Sequence, residues 1–197
     1  MKHTLQFTGW RTVTNIHFCG LNCYKKRNGS DFTMEKNEAK EQKPKKVSDS
    51  RTEQLRVVIY PDINGFGRLF GGRLLAWIDE VAGATARRHC GYNATTVAID
   101  NLYFKDGAYL NDIIVLIGKV TYVGRTSMEV RVDTYREDQD GTRHVINRAY
   151  FVMVSMGEDG KPTPVPPLIL ENDGERMEWE NAKKRRELRL MRRKEGY

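Results

Sequence analysis

The chain has 197 residues, 39% hydrophobic and 30% charged, with a formal net charge of +7. That is polar for a globular protein, so one domain of ordinary size with tails outside its core is expected. The longest apolar run, residues 113–117, is far short of the roughly 20 residues a membrane span needs, and no transmembrane helix is expected.

The charge sits at the two ends. Residues 1–46 carry ten Lys/Arg against four Asp/Glu, and residues 183–197 carry eight against two, so each end has a net +6. The stretch between them holds fifteen basic and twenty acidic residues, a net −5, which argues against a nucleic-acid-binding core.

Taken in chain order, residues 1–33 contain no clean signal peptide, because the apolar stretch from Leu5 is broken by Gln6, Thr8 and Arg11. Met34 opens a charged stretch with no large apolar residue before Val47. It is a candidate natural start, and residues 1–50 are expected to be disordered or extended. Cys19 and Cys23 lie near His17 but lack a second ligand pair, so no metal site is expected. Cys90 reads as a small buried apolar residue. An odd cysteine count without a spacing pattern suggests a reducing compartment, hence the cytoplasm.

Residues 55–60 form a β-branched run ended by Pro61 and read as a strand. A glycine-rich loop follows. Residues 71–90 read as a proline-free helix closed by Gly91, with Leu74, Leu75, Ile78, Ala82, Thr85 and Ala86 on one face. Four strands follow, over residues 94–104, 112–124, 127–135 and 143–156, with turn signals at Asp140-Gly141 and Asp159-Gly160. Their short connections imply antiparallel pairing. In 127–135, Met128, Val130, Val132 and Thr134 alternate with Glu129, Arg131, Asp133 and Tyr135. The order strand, helix, four strands predicts an α+β domain in which the sheet wraps the helix. Residues 113–117 are apolar on both faces, so a partner subunit is expected to cover the second face. From Asp173 a charged C-terminal helix is expected. Its run of charges from Lys183 reads as a solvated or subunit-packing face.

Several chemistries are unsupported. There is no G-x-S-x-G elbow, no phosphate-binding P-loop and no G-x-G-x-x-G opening a βαβ unit. His89 and His144 lack partner spacings and read as surface or cap residues. Asp79 stands out because it follows Leu75 by four and precedes Ala82 by three, which puts it on the apolar face of the helix. It is either a functional carboxylate or a flank residue reaching solvent or an arginine. Gly71-Gly72 opens the helix, where free amides can hold a developing oxyanion and glycine allows close approach. A plain turn would look the same. Asn64 upstream either orients a carbonyl or water or simply makes a turn. Arg125, after a glycine at a strand break, suits a phosphate or a surface turn equally.

The segments PDINGFGRLFGGRLLAWIDEVAG and VTYVGRTSMEVRVDTY together resemble the hotdog-fold acyl-CoA thioesterases of the cytosolic acyl-CoA hydrolase type. The resemblance covers about residues 51–168 and rests on Asn64, Gly71-Gly72, Asp79 seven residues after the second glycine, and Val123-Gly124-Arg125-Thr126-Ser127. It implies a hotdog fold, a long central helix wrapped by about five antiparallel strands, followed by a charged tail at 169–197. It further implies hydrolysis of acyl-CoA without a cofactor. Asp79 would be general base or nucleophile, Asn64 would position the thioester or water, and the Gly72 amide would polarise the carbonyl. Gly71, Gly124, Arg125, Thr126 and Ser127 would line the CoA groove. Asn64 of one chain would face Asp79 of another, in a dimer or a hexamer built as a trimer of dimers. The alternatives are a non-catalytic acyl-CoA-binding module and a hydratase. The second wants a histidine that neither the loop nor the helix start supplies. No membrane or nucleic-acid partner is expected.

Overall fold

One helix sits inside one curled sheet, and a second helix closes part of the sheet's other face. The computed structural model describes residues 43–100 and 102–196. The expectations for residues 1–42, including Met34 and the Cys19/Cys23 pair, lie outside the described residues.

The elements run in the order expected, with an earlier start. Strand β1 (Lys45–Lys46) pairs in parallel with β8 (Leu168–Ile169), and a single helical turn, α1 (Val47–Ser50), leads into β2 (Thr52–Val57). The fold therefore already includes residues 45–50. β2 begins and ends three residues before the run read as a strand, because residues 60–62 coil into a 3₁₀ turn around Pro61. Helix α2 (Gly71–Cys90) has the expected bounds and ends on Gly91 at φ 75°, a left-handed cap that glycine adopts without strain. The expected strand over 94–104 is two pieces, β3 (Asn93–Ile99) and β4 (Tyr103–Phe104), with a register shift between Thr96 and Ala98. β5 (Ile113–Val123), β6 (Ser127–Glu137) and β7 (Arg143–Met156) complete the sheet. The strand order is β2-β5-β6-β7-β3, antiparallel throughout, with β4 on a further stretch of β7.

The inner face of the sheet meets α2. Leu74, Trp77, Ile78, Val81, Ala82 and Ala86 pack with Ile114, Leu116, Met128, Val130, Val132, Phe151 and Met153. The helix comes closest at Gly118, where a Cβ would stand 2.3 Å from Thr85 Oγ1 and 3.0 Å from Val81 Cγ1. Only glycine permits that approach.

Two corrections follow from the outer face. The residues 114–117 are buried within the single chain, so this strand does not itself demand a partner. The charged C-terminal segment is also not simply solvated. Helix α3 (Asp173–Glu195), capped by the Asn172 side chain accepting from the Glu175 amide, lies over β5, β6 and β7. Trp179 rests on Tyr122, with ring centroids 4.5 Å apart. Glu129 and Asp133, on the polar side of the β6 alternation, are 1% and 2% exposed. Arg185 grips both Glu129 oxygens and reaches Glu178 at 2.9 Å. Arg189 joins Glu129 to Asp100. Arg131 bridges Asp133 and Glu178 at 2.6 Å each, and Arg148 takes the other Asp133 oxygen. Burial works against the Glu178 carboxylate, but Arg131 and Arg185 outweigh it and hold it below the usual carboxylate range.

His89 also departs from expectation. It is fully buried in the last turn of α2, where its Nε2–H donates to the Pro166 carbonyl at 3.0 Å and Nδ1 has no partner. Burial pushes the imidazole below its ordinary range, against the smaller opposing pull of that carbonyl. His144 is exposed and contacts Asp138, as a surface residue should. Cys90 is buried, as expected.

Gly118→Ala should destabilise the protein by about 1–3 kcal/mol in denaturant titrations, the scale of overpacking. Adding Thr85→Ala, which removes the nearer obstacle, should recover part of it. For His89, the unfolded chain takes up a proton below its ordinary pKa of 6.5 while the folded chain resists it. Stability should therefore fall as pH drops from 7 through the range below 6.5, and His89→Gln should flatten that slope in thermal melts at pH 7, 6 and 5.

Candidate active site

The loop from β2 to α2 holds itself in shape. Asp62, buried, accepts from the Ile59 amide and pairs with Arg73 in the first turn of α2 at 3.0 Å, tying the loop to the helix. Asn64 closes a turn at its tip. Its Oδ1 accepts from the amides of Phe66 (2.9 Å) and Arg68 (3.2 Å), and its own amide donates to the Arg68 carbonyl. Asn64 is thus a turn asparagine whose oxygen is occupied, leaving the Nδ2 group as its available donor.

The entry to α2 follows. Phe70 is the N-cap and offers no side-chain hydrogen bond, so the first-turn amides lack the partner a serine or aspartate would give. Glycine at both following positions leaves room for the aromatic rings beside the helix start. A Cβ on Gly71 would lie 3.2 Å from the Phe104 ring, and one on Gly72 would lie 2.6 Å from the Phe70 ring. A cleft of about 400 Å³ opens here, walled by Asn64, Leu69, Gly71, Leu74, Phe104 and Ile146 among others.

Asp79 lies two turns further along α2. It is exposed and sits at the edge of the apolar face, not within it. Thr96 Oγ1 on β3 donates to Asp79 Oδ1 at 2.6 Å. Adjacent Glu80 is neutralised by Arg56 at 2.5 Å, whereas Asp79 has no cationic partner among the described residues. Two neighbouring carboxylates are thereby distinguished: one is in an ion pair and the other accepts from a hydroxyl. Asp79 is not a wall of the cleft at Asn64. A single chain brings Asn64 and Gly71 into one cleft without Asp79.

The Arg125-Thr126-Ser127 turn is more distant. The Gly124 amide donates to the Ser127 carbonyl, the Arg125 carbonyl accepts from the Val165 amide, and the Thr126 carbonyl accepts from the Ser155 amide. Next to Val165, the Pro166 carbonyl holds His89, so this turn belongs to the C-terminal end of α2. Asn64 and Gly71 are at its N-terminal end, and a helix of 20 residues is about 30 Å long. The Arg125 side chain is exposed, with no ion pair among the described residues.

The thioesterase superfamily matches residues 66–142. The rat cytosolic acyl coenzyme A thioester hydrolase is 33% identical over 145 residues, which are 72% of this chain and 38% of the rat protein. The chain therefore spans well under half the length of that relative. The crystal structure of an apo-hexameric acyl-CoA thioesterase superposes with a TM-score of 0.73 at 40% identity, covering 76% of this chain and 97% of that one. The acyl-CoA hydrolase of Staphylococcus aureus, solved with butyryl-CoA, CoA and CoA disulfide, gives 0.73 at 34% identity, covering 77% and 93%. The chain belongs to the acyl-CoA thioester hydrolase family. Its hotdog architecture, α2 inside the curled antiparallel sheet, is that of these family members.

The S. aureus acyl-CoA hydrolase has also been solved as alanine variants of an asparagine, an aspartate 15 residues later and a threonine 17 beyond that. Asn64, Asp79 and Thr96 have the same spacing. Thr96 escaped the sequence reading because a threonine in a strand is unremarkable. Only the pairing of β3 beside α2 gives it a partner.

Replacing Thr96 with valine keeps its shape and removes the hydroxyl. In an acyl-CoA hydrolysis assay this should lower kcat by about tenfold, the scale of a hydrogen bond to a charged group, with KM little changed. Thr96→Ser should restore most of it, which a purely structural role for the methyl group would not allow.

Proposed function

We propose that this protein hydrolyses acyl-CoA thioesters to a carboxylic acid and CoA, at a site shared between two protomers. The observation that carries this is the outward-facing, un-neutralised Asp79, steadied by Thr96 and set on the helix whose uncapped first turn supplies free amides. The butyryl-CoA and CoA bound to the S. aureus hydrolase support the substrate class.

In this reading Asp79 takes a proton from water as the oxygen attacks the thioester carbon. The carbonyl oxygen gains charge and is held by the Gly72 amide. The C–S bond then breaks and CoA leaves as its thiolate. Asp79 attacking directly as a nucleophile would reach the same products through an anhydride that water must open. Asn64 Nδ2, the donor left free by its turn, orients the thioester or the water.

The assembly follows from the separation of Asp79 and Asn64. Strand β3 is a sheet edge, and Val97 and Ile99 on it are exposed, so a second protomer added there would bring its own loop towards Asp79. The hexameric thioesterase supports a higher assembly of such dimers. The Arg125-Thr126-Ser127 turn would reach the substrate's CoA portion across the same interface. A cytoplasmic location agrees with the cytosolic rat relative.

A thiol-release assay across acyl-CoAs from acetyl to palmitoyl tests the activity. Asp79→Asn should lower kcat by about 100-fold or more, with folding and assembly intact. Asn64→Ala should also be impaired, and mixing the two variants should restore part of the activity, because a mixed dimer holds one complete site. Near-full turnover by Asp79→Asn overturns the assignment. Absence of recovery on mixing overturns the shared site.

A further inference from the structure

One wall of the cleft at the start of α2 is an aromatic side chain that takes no part in the proposed chemistry. Phe104 belongs to β4, the two-residue strand paired with β7. A side chain this apolar and this large is usually withdrawn from water, yet Phe104 is 53% exposed in the single chain. It meets the cleft beside Leu69, Leu74 and Ile146, with Asn64 among the polar walls.

The backbone that carries the ring is tethered on both sides of it. The Tyr103 carbonyl accepts from Asn147 Nδ2 at 2.8 Å, and the Lys105 amide donates to the Ile146 carbonyl at 2.9 Å. Asn147 is fully buried, so releasing the Tyr103 carbonyl would strand its amide away from water. With β4 fixed in this way, the ring moves only by turning about its own side-chain bonds.

Gly71 limits even that motion. A Cβ at position 71 would meet three atoms of the Phe104 ring, at 3.2, 3.6 and 3.8 Å. The ring edge therefore lies against the first residue of α2, one residue before the amide assigned to the thioester oxygen. Gly71 leaves room for the ring, and the ring in turn fills the space beside the helix start.

We infer that Phe104 is a specificity-determining residue of the hydrolysis, one that admits acyl groups unbranched beside the thioester carbonyl and rejects those branched there. The inference rests on the proposed hydrolysis, with the carbonyl oxygen held by the Gly72 amide. An oxygen held there places the first acyl carbons next to the Phe104 ring. A straight chain presents only hydrogens at its first carbon and runs along the apolar wall of Leu74 and Ile146. A branch at that carbon adds a methyl group where the ring already stands, and a ring on a tethered strand cannot withdraw without breaking the hydrogen bonds that flank it. The cost is one of overpacking, and a single methyl group too many in a closely fitted pocket changes kcat/KM by about tenfold or more.

Thiol release from butyryl-CoA and isobutyryl-CoA provides the test, because the two acyl groups have the same atoms and differ only in the branch. The unaltered protein should favour butyryl-CoA by about tenfold or more in kcat/KM. Phe104→Ala should bring the two substrates to within a few-fold of each other, mainly by raising the rate on isobutyryl-CoA. Phe104→Leu, which keeps part of the bulk, should give an intermediate ratio. Melting temperatures confirm that both variants are folded. The ratio between substrates carries the result, and a general loss of activity through disturbed folding would leave it unmoved. Equal rates on the two substrates by the unaltered protein overturn the inference, and so does a ratio that Phe104→Ala leaves unchanged. Either result leaves the hydrolase reading standing. Hydrolysis of no acyl-CoA at all by the unaltered protein overturns that reading itself, and this inference with it.

Discussion

The depth at which α2 sits in the sheet governs the rest of the molecule. The Thr85 and Val81 side chains occupy the space that a side chain at position 118 would fill, so the helix packs on β5 where the strand offers only backbone. That depth buries the sector from Leu74 to Cys90 and determines which flank remains outside. Asp79 falls on the boundary, close enough to β3 for Thr96 to reach it and far enough out to stay hydrated. A larger residue at 118 would roll or lift the helix, and the angle between Asp79 and the sheet edge would change with it.

Charge is distributed with equal economy. Two pairs of carboxylates show it. Glu80 faces Arg56, whose guanidinium also lies 5.8 Å from the centroid of the Trp77 ring, while Asp79 faces a hydroxyl. On β6, Glu129 and Asp133 are withdrawn from water and each is shared by two arginines. Removing one partner from such a buried cluster typically costs about 3–5 kcal/mol, because the remaining charge has nowhere to go. The same composition thus yields an exposed carboxylate without a cationic partner at an open flank and locking carboxylates under a helix.

Much of this could be read directly from the residues. The helix bounds were legible because a 3.6-residue apolar pattern ended at a glycine that could turn left-handed, and β7 was legible because it runs between two Asp-Gly turns. What could not be read were relations between distant residues. Residues 94–104 look like one strand, and the register shift and break that divide them depend on β7, more than forty residues later. Asp79 was placed on the apolar face because Leu75 and Ala82 flank it, but the buried sector centres on Ile78 and includes Trp77 and Val81, which leaves Asp79 at its margin. His89 reads as a surface or cap residue in the sequence, since nothing nearby pairs with it. Its partner is the carbonyl of Pro166. The alternation of β6 does not show that its polar side is buried, because Arg185 and Arg189, which cover Glu129, lie 56 and 60 residues further on. The key site motifs were found by resemblance, which the bare spacing of Asn64, Gly72 and Asp79 would not have supplied.

That lateness has a temporal consequence. β6 is made before the segment that neutralises it, and Arg185 and Arg189 lie 56 and 60 residues beyond Glu129. During synthesis the sheet can pair and wrap α2 while Glu129 remains open to water on a bare outer face. Burial of that charge waits for α3 to be made. A chain without α3 would keep Glu129 hydrated and Tyr122 uncovered on a face that α3 otherwise seals.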